Sequence, residues 1–385
     1  MKVAIVHDWL TGMRGGEKCL FAFLSMYPEA DIFTLVHIPG STNPFIDSRV
    51  VKTSFLQKLP FAGRFYRYFL PLYPTAIKAF SFEGYDLVIS LSHAAAKNIR
   101  VPSTTEHICY CFTPMRYIWD QADVYFGGFA KPLSPILSYL RKWDRENGRA
   151  DKMIAISNFV KERIQRYYNR DSQVVYPPVD TSFVRAIPEL IKGESFLCAG
   201  ALVPYKRIAV AIQAFNLLGI PLWIAGTGPE EAYLRSIAGK NVLFFGRVND
   251  EELASLYAHC RALIFPGVED FGMIPIECMA AGRPVIARQE GGSVETVNGV
   301  KCGADRGGDL TGKTGVFYEA RPDAEVASLM EAVGYFMTIE NELRPEACVA
   351  QAKKFSPERF FSSWESIVGN RGEAREYPLR SAVLC

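Results

Sequence analysis

The chain has 385 residues, of which 49% are hydrophobic and 22% are charged, and its formal net charge is +2. This length exceeds the roughly 250 to 300 residues at which a single hydrophobic core stops growing, so we expect a globular protein of two domains. The small net charge argues against nucleic acid as a partner, and any basic surface must be a local patch.

The compartment is predicted from what the sequence lacks. The opening MKVAIVHDWL is a short apolar run that ends at His7 and Asp8, whereas a signal peptide needs a longer one. No apolar run reaches the roughly 18 residues of a membrane span. The nine cysteines are scattered without a C-x-x-C pair, which favours reduced thiols over disulfides or a zinc site. We therefore expect a cytoplasmic protein.

Short β-branched runs alternate with helical patterns along the chain. The first half contains KVAIVH, ADIFTLV, YDLVISLS, HICYCF, KMIAIS and SQVVYP. The second half contains SFLCAG, PLWIAG, VLFFG, ALIFP, PVIA and TGVFYE. This alternation is typical of βαβ units with a parallel sheet, and it occurs twice. The predicted fold class is therefore α/β, with two doubly wound Rossmann-like domains.

Prolines mark the boundary between the two halves. Pro177, Pro178 and Pro188 interrupt the pattern within residues 176–190. Near the end, Ser356 is suited to cap a helix whose first residue is Pro357. The predicted organisation is a first domain of residues 1–178 with a crossover helix at 357–370, a second domain of residues 179–356, and a loose tail at 371–385. The default ligand site is the cleft between two such domains.

In the first half, candidate site residues follow the strands. The loop HDWLTGMRGGEK lacks the G-x-G-x-x-G pattern of a dinucleotide site, but Gly15 and Gly16 open a helix in a way that suits a phosphate. A simple glycine loop fits almost as well. His93 lies directly beyond a strand, where a structural role is the alternative. The remaining candidates, for contacts with an acceptor or a sugar, are Asp8, Arg116 and Asp120, although an Arg116–Asp120 ion pair would explain the last two.

Residues 48–82 contain six basic residues and no acidic one, with aromatic residues interleaved. Such a mixture suits an anionic bilayer interface. Ordinary core helices with basic outer faces fit nearly as well. A contact with the cytoplasmic face of a membrane is one hypothesis for this stretch.

The second half contains the most informative segment, GVEDFGMIPIECMAAGRPVIA at residues 267–287. Glu269 would lie after a strand, and Glu277 in the early turns of the following helix. Gly272 permits close backbone approach, and the free N–H groups of a helix start bind anions such as a diphosphate. A diphosphate site flanked by two carboxylates suits a nucleotide sugar, which has hydroxyl groups on both sides. A glycosidase pair is the alternative.

Three other turns in the second half could contribute to a nucleotide-sugar site. Lys206 and Arg207 follow a strand and could meet the diphosphate, although a solvated cationic loop is the alternative. Gly226 and Gly228 form a tight turn before a helix, which is a common pattern. The backbone near Val248 could lie against a base.

These residues resemble a known family. Glu269 and Glu277 match the E-x7-E motif of the family-4 retaining glycosyltransferases, and YPPVD, ALVPYKR, GTGPE and FFGRV occur in the family's order and spacing. The resemblance covers nearly the whole chain and implies the GT-B fold, in which two Rossmann-like domains face a central cleft and a C-terminal helix crosses back to the first domain. It also implies catalysis without a metal or other cofactor, and the sequence contains no D-x-D motif.

The resemblance implies roles for particular residues. Glu269, Lys206 and His93 would be catalytic. One departure is Ala201, which stands where the family often has an arginine, so Arg207 or Arg116 would have to compensate. The residues expected to bind the donor are Gly15, Gly16, Arg207, Gly226, Gly228, Val248, Phe271, Gly272, Met273, Ile274 and Glu277.

The run HDWLTGMRGGEK, with TPMRYIWD, resembles a subgroup assigned to mannosyl transfer from GDP-mannose in polysaccharide assembly. The predicted reaction is transfer of a hexose to a glycan or a polyprenyl-diphosphate-linked acceptor, with the anomeric configuration retained. The alternatives are a UDP-sugar donor, a nucleotide-sugar epimerase, a non-catalytic nucleotide-sugar sensor and, least favoured, a dinucleotide oxidoreductase.

Overall fold

The structure is a computed structural model that describes residues 1–120, 122, 131–185, 193–303 and 309–369. It divides into two compact units. The first contains Met1–Pro178 and the chain from Phe360 onward, and the second is Val179–Arg359. The predicted tail at 371–385 lies outside the described residues.

The first unit is built on a parallel sheet whose described strands run in the order β3-β2-β1-β4-β5-β6-β7. Strand β1 is buried along its full length because neighbours cover both faces of the sheet. The strands are β1 (Val3–Leu10), β2 (Asp31–His37), β3 (Val50–Thr53), β4 (Leu87–Ser92), β5 (Glu106–Cys111), β6 (Lys152–Ala155) and β7 (Gln173–Val174).

Helices cover this sheet and close its core. The described α-helices are Gly15–Met26, Pro44–Ser48, Ala62–Phe65, Tyr73–Lys78, Ser134–Asn147, Asn158–Tyr168 and Pro357–Val368, and the 3-10 helices are Phe55–Lys58, Tyr66–Leu72 and Ala96–Asn98. The last α-helix begins at Pro357, as predicted. Its Trp364 ring packs 4.6 Å from Phe23 and its indole N–H donates to the Tyr27 hydroxyl, so this helix packs into the core of the first unit.

The second unit repeats the design, with described strands in the order β10-β9-β8-β11-β12-β14-β13. The strands are β8 (Phe196–Ala199), β9 (Leu222–Ala225), β10 (Val242–Gly246), β11 (Leu263–Phe265), β12 (Val285–Arg288), β13 (Gly299–Lys301) and β14 (Gly315–Tyr318). The described α-helices are Ser182–Arg185, Ile208–Leu218, Glu231–Ile237, Asp250–His259, Met273–Ala280, Ser293–Thr296, Glu325–Ile339 and Pro345–Lys353, with a 3-10 turn at Pro204–Lys206.

All twelve predicted strands are present, and two strands were not predicted. The unpredicted strands, β3 and β13, are edge strands without a fully buried residue, so neither has the continuous apolar run that marks a buried strand. Both sheets reverse their strand order once, between β1 and β4 and between β8 and β11. Ligands of doubly wound folds bind at the carboxyl ends of the strands at such a reversal. Within the described ranges, no helix is both long and apolar enough to cross a bilayer.

Candidate functional site

The segment after β11 has the predicted strand, loop and helix. The helix Met273–Ala280 starts after Gly272, whose φ of +87° lies in the left-handed region that disfavours residues with a side chain. Gly272 also has no side chain to cap the helix. The first N–H groups of the helix, at Met273 and Ile274, therefore have no acceptor within the helix and can bind an anion. Phe271 is buried and its ring lies 5.6 Å from that of Phe355, which leaves only its backbone for the predicted donor contact.

Glycines at close approaches fix the path of this loop. A Cβ on Gly267 would lie 2.8 Å from the Cα of Lys206, and one on Gly292 would lie 2.3 Å from the Cα of Phe271. The N–H of Gly292 donates to the carbonyl of Glu269 at 2.8 Å. Side chains at these glycines would therefore displace both Lys206 and Glu269. Gly291 and Gly292 were missed by the sequence analysis, because their partners are distant in sequence.

Lys206 and Glu269 meet at the reversal point of the second sheet. The Lys206 ammonium lies 2.8 Å from Oε1 of Glu269, and both side chains are mostly buried. Burial disfavours the charged ammonium, but the nearby carboxylates of Glu269 and, at longer range, Glu277 raise the pKa of Lys206 above its usual value. Gly200 has a φ of +124°, which favours glycine, and a Cβ there would lie 2.7 Å from the ammonium nitrogen. The residues lining this pocket are Cys198, Ala199, Lys206, Ile208, Ile264, Phe265, Pro266, Gly267 and Glu269.

Glu277 lies in the second turn of the same helix and is only 4% exposed. The buried hydroxyl of Tyr257, from the helix Asp250–His259, donates to its Oε2 at 3.0 Å. The carboxylate raises the pKa of that hydroxyl further above the level set by burial, so Tyr257 remains a donor. Tyr257 therefore orients the second glutamate of the motif. A tyrosine within a helical pattern gave no sign of this role in the sequence.

Arg207 does not line the pocket that contains Lys206. Its backbone is left-handed (φ of +56°), and its guanidinium pairs with the carboxylate of Glu325 at the start of the helix Glu325–Ile339. Arg288 pairs with the same carboxylate at 3.3 Å. Arg207 is thus placed to hold the helix Ile208–Leu218 against its neighbour, so the expectation that it replaces the missing arginine at Ala201 gains no support from its position.

Gly226 and Gly228 serve loop packing. A Cβ on Gly226 would lie 1.9 Å from the carbonyl oxygen of Gly200, and one on Gly228 would lie 2.3 Å from that of Leu202. These contacts hold the loops after β8 and β9 together, and a donor contact through either backbone stays a prediction. Val248 is half-buried beyond β10. Its contact with a base also stays a prediction.

In the first unit, Asp8 is completely buried at the end of β1. Its carboxylate accepts four backbone N–H groups at 2.6 to 2.8 Å, and they come from the chain that follows β4. The donors are His93, Ala94, Ala95 and Ala96. Four charge-assisted bonds fill the lone pairs of the carboxylate, so Asp8 shapes this loop. The predicted contact of Asp8 with an acceptor or a sugar stays a prediction, and this geometry gives it no support.

His93 is held by this arrangement. Its Nδ1 lies 3.2 Å from Oδ2 of Asp8, and its ring stands edge-on to Trp9 at 4.4 Å. Burial lowers the pKa of His93, Asp8 opposes the shift, and the nearby cations of Arg67, Arg14 and Arg116 lower it further. The imidazole is therefore neutral at physiological pH, with Nδ1 directed to Asp8 and Nε2 left for another partner.

His7 lies beside His93 and was not singled out in the sequence. Its ring centre is 6.0 Å from that of His93, and its Nδ1 lies 2.9 Å from the carbonyl oxygen of Trp9. Burial lowers the pKa of His7 to about 4, and repulsion between the two rings when both are protonated adds to this effect. A Cβ on Gly16 would lie 3.3 Å from Nε2 of His7. His7 thus lies under the start of the helix Gly15–Met26, where Gly15 and Gly16 were expected to meet a phosphate.

Asp120 is engaged in a structural ion pair. It lies 2.8 Å from the guanidinium of Arg163, which is buried in the helix Asn158–Tyr168. The adjacent Trp119 donates its indole N–H to Asp144 at 2.8 Å, and Asp144 also pairs with the buried Lys97. Both contacts anchor the loop after β5, so Asp120 is occupied and the predicted acceptor contact is not supported. The loop carries Arg116 close enough to His93 to lower its pKa.

The structure thus forms two clusters, one at each strand-order reversal. Lys206, Glu269 and Glu277 lie in the second unit with the helix start at Gly272. His93, Arg116, Gly15 and Gly16 lie in the first unit, with Asp8 as the scaffold of the loop. Arg207 and Asp120 belong to neither cluster.

Two family models match the chain. The model described as "Glycosyltransferase Family 4" matches residues 13–183, and the one described as "Glycosyl transferases group 1" matches residues 181–347. The chain is 28% identical over 275 residues to the O-antigen chain mannosyltransferase RfbU of Salmonella typhimurium, covering 67% of this chain and 70% of that one. It is 31% identical over 183 residues to a GDP-mannose-dependent phosphatidylinositol monomannoside mannosyltransferase of Mycobacterium tuberculosis, covering 40% and 48%.

The alignments with other curated relatives span 32% to 64% of those proteins' length. Among solved structures, the Anabaena Alr3699/HepE protein in complex with UDP aligns with a TM-score of 0.65 at 16% identity, covering 96% of this chain and 99% of that one. This likeness confirms the predicted GT-B fold class. The two family models together account for residues 13–347, and the chain belongs to family 4 of the glycosyltransferases.

Proposed function

We propose that this protein is a retaining hexosyltransferase that moves mannose from GDP-mannose to a hydroxyl group of a glycan or a lipid-linked oligosaccharide. The observation that carries the proposal is the cluster at the reversal of the second sheet. There the ammonium group of Lys206, from the turn after β8, meets the loop and helix after β11, which contribute two carboxylates and an uncapped helix start. This combination suits a ligand with a diphosphate between two hydroxyl-bearing sugars.

In the proposed donor complex, the diphosphate lies at the N–H groups after Gly272 and against Lys206. An ammonium group has three N–H donors, so Lys206 can bind a phosphate oxygen while it retains Glu269. Glu269 then accepts hydrogen bonds from the hexose hydroxyls, and Glu277, oriented by Tyr257, accepts those of the ribose. The glycines that fix this loop keep the three groups in place before the donor arrives.

The proposed chemical step breaks the bond between the anomeric carbon and the phosphate oxygen, which takes the electron pair. Negative charge therefore grows on that oxygen while the hexose becomes oxocarbenium-like. Lys206 and the helix start stabilise the oxygen, and the carboxylate of Glu269 offsets the positive charge of the ring. In the front-face route, the acceptor oxygen bonds to the anomeric carbon on the face that the phosphate leaves, and the departing phosphate takes the proton of that hydroxyl, so no covalent nucleophile is needed. Neutral His93 would contact the sugar or the acceptor.

GDP-mannose is proposed because two relatives are named as mannosyltransferases and one name specifies a GDP-mannose-dependent enzyme. The bound UDP of the HepE structure supports the alternative, a UDP-sugar donor with the same mechanism. Metal independence is proposed because Lys206 and a helix start can supply the positive charge that a metal ion would otherwise provide.

Thermal melts with GDP, UDP, ADP and their sugar conjugates, with a chelator present, test this proposal. A ligand at 100 times its dissociation constant should stabilise the fold by about 2.7 kcal/mol. Selective stabilisation by GDP and GDP-mannose would support the proposed donor. Selective stabilisation by UDP would overturn the choice of GDP-mannose, and stabilisation only after metal addition would overturn metal independence. If no nucleotide had any effect, the donor site itself would be wrong.

An epimerase on the same fold would need no second substrate. Incubation with GDP-mannose alone, followed by analysis of the sugar, separates the two reactions. Interconversion of the sugar without an acceptor would overturn the transferase proposal.

A further inference from the structure

An exposed row of aromatic rings crosses the surface of the first unit. The ring centres of Phe61 and Phe65 lie 6.3 Å apart, and those of Phe65 and Tyr68 lie 6.1 Å apart. Phe61 and Tyr68 are 76% and 77% exposed, and Phe65 is 39% exposed. We call these three residues the aromatic row. Isolated exposed apolar residues are ordinary, but contiguous exposed rings indicate an interaction surface.

The aromatic row adds little to the core of its own unit. Its neighbours Ala62, Tyr66 and Leu70 supply the buried side chains of the same short helices. Phe61 also has left-handed backbone dihedrals (φ of +53°), which cost free energy for a residue with a side chain. Core packing therefore explains the apolar side chains of Ala62, Tyr66 and Leu70. It does not explain the aromatic row, which remains in contact with water.

Two arginines border the aromatic row. The guanidinium of Arg64 lies 5.5 Å from the ring centre of Phe65, and that of Arg67 lies 4.7 Å from that of Tyr66. Among the described residues, neither arginine forms a salt bridge with a carboxylate, whereas Arg49 at the start of the stretch pairs with Glu29. Residues 49–82 contain no acidic residue. The surface therefore combines apolar rings with uncompensated positive charge.

We propose that this surface docks on an anionic lipid bilayer. Aromatic side chains insert at the level of the headgroups, while neighbouring arginines bind the phosphates, and each cation near an anionic surface adds about 1 kcal/mol. A second copy of this chain would bring the same arginines together and is disfavoured by repulsion. The combination of rings with unpaired positive charge favours lipid over a neutral protein partner.

The docking surface is connected to His93 by direct contacts. Tyr66, between Phe65 and Arg67, packs its ring 4.9 Å from that of Trp9, and Trp9 packs against His93 at 4.4 Å. The hydroxyl of Thr11 also donates to that of Tyr66 at 3.2 Å. Two layers of side chains, Tyr66 and Trp9, would therefore separate a bilayer at the aromatic row from His93. Resting on the proposed function, this arrangement assigns the acceptor to the lipid-linked class.

Vesicle flotation with the full chain tests the proposal. The probes are vesicles of phosphatidylglycerol and phosphatidylcholine in equal parts, and vesicles of phosphatidylcholine alone. One variant combines Phe61→Ser with Tyr68→Ser, and a second combines Arg64→Glu with Arg67→Glu. The control combines Tyr233→Ser with Lys240→Glu, which changes an exposed tyrosine and an exposed lysine in the second unit.

The wild-type chain and the control should bind the anionic vesicles and not the neutral ones. Each test variant should lose at least about tenfold in partitioning while its melting temperature and its stabilisation by nucleotide stay unchanged. Equal partitioning of variants and wild type would overturn the proposal. The proposal would also be wrong if the wild type did not bind vesicles. It would be wrong too if the wild type self-associated without vesicles and the first variant did not, because the aromatic row would then bind a second copy of this chain. Vesicle binding without any response to nucleotides would instead overturn the proposed function alone.

Discussion

The two clusters lie at equivalent positions of the two sheets, yet their carboxylates are used in opposite ways. Asp8, at the reversal of the first sheet, is enclosed by four backbone N–H groups. Glu269, at the reversal of the second sheet, is balanced by one flexible lysine and keeps 20% of its side chain exposed. A carboxylate that the backbone satisfies acts as scaffold, whereas one paired with a movable side chain is available to a ligand.

The same comparison extends to the charge of each cluster. The second unit keeps a buried ammonium charged because carboxylates surround it, and burial alone would have favoured its neutral form. The first unit keeps His7 and His93 neutral by burial, with neighbouring cations adding to the effect at His93. A charged cluster suits a diphosphate, and a neutral one suits the hydroxyl groups of a sugar.

Loss of the ammonium group should produce the largest effect. Lys206→Met is expected to lower kcat/KM for transfer about a thousandfold, because the departing phosphate loses its principal donor. Arg207→Gln is the matched control, since this neighbouring cation pairs with Glu325 outside the pocket. Its rate should stay within about threefold of wild type. Initial rates with GDP-mannose measure both, and a larger loss for Arg207→Gln would show that the wrong cation has been assigned to the phosphate.

Most of the cluster in the second unit could be predicted from the sequence. Glu269, Gly272, Glu277 and Lys206 lie in local strand-loop-helix patterns whose geometry follows from their own residues. Tyr257 and Gly292 could not be predicted, because each acts on a residue about 20 positions away through the tertiary fold. Long-range partners of this kind leave no mark in a local pattern.

The first unit was harder to predict for the same reason. Asp8 and His93 were both found as polar residues after strands, but their roles depend on a contact between residues 85 positions apart. Asp120 was expected to face the ligand or to pair with Arg116, and its partner is instead Arg163 from a later helix. A sequence shows which polar residues lie at a sheet edge. It does not show which of them already have hydrogen-bond or ion-pair partners within the fold.

Replacement of the scaffold carboxylate should lower stability before it affects chemistry. Asp8→Asn retains the shape but places an amide group among backbone donors, so we expect a loss of about 3 kcal/mol in the free energy of unfolding. His93→Gln should change stability by less than about 1 kcal/mol while it lowers the transfer rate more strongly. Urea denaturation followed by rate measurements separates the two. Equal stability of Asp8→Asn and wild type would remove the distinction between scaffold and ligand carboxylates.

The neutral histidines predict acid sensitivity. The folded chain holds the pKa of His7 at about 4, against an ordinary value of about 6.5, so the unfolded chain binds the proton more readily between these pH values. Stability is thus fully present above pH 6.5 and is lost as the pH falls towards 4, by about 3 kcal/mol for this one residue. His7→Gln should flatten that slope in denaturation curves from pH 7 to pH 4.

His107 provides the matched comparison. Burial also lowers its pKa to about 4, but it contacts Ser90 within the sheet and lies outside both clusters. His107→Gln should flatten the slope to a similar extent and leave the transfer rate unchanged, whereas His7→Gln should also slow transfer. If the two variants had the same effect on rate, His7 would be a core residue and no part of the first cluster.

The smallest expected effect concerns the hydroxyl that orients Glu277. Tyr257→Phe removes one buried hydrogen bond, at an expected cost of about 1 kcal/mol, and leaves the ring in place. Because Glu277 is proposed to hold the ribose in the ground state and the transition state alike, the dissociation constant for GDP should rise about fivefold with little change in kcat. Calorimetric titration with GDP measures the dissociation constant, and saturation kinetics measure kcat. A fall in kcat with unchanged affinity would place Glu277 at the reacting sugar instead, and would exchange the roles of the two glutamates.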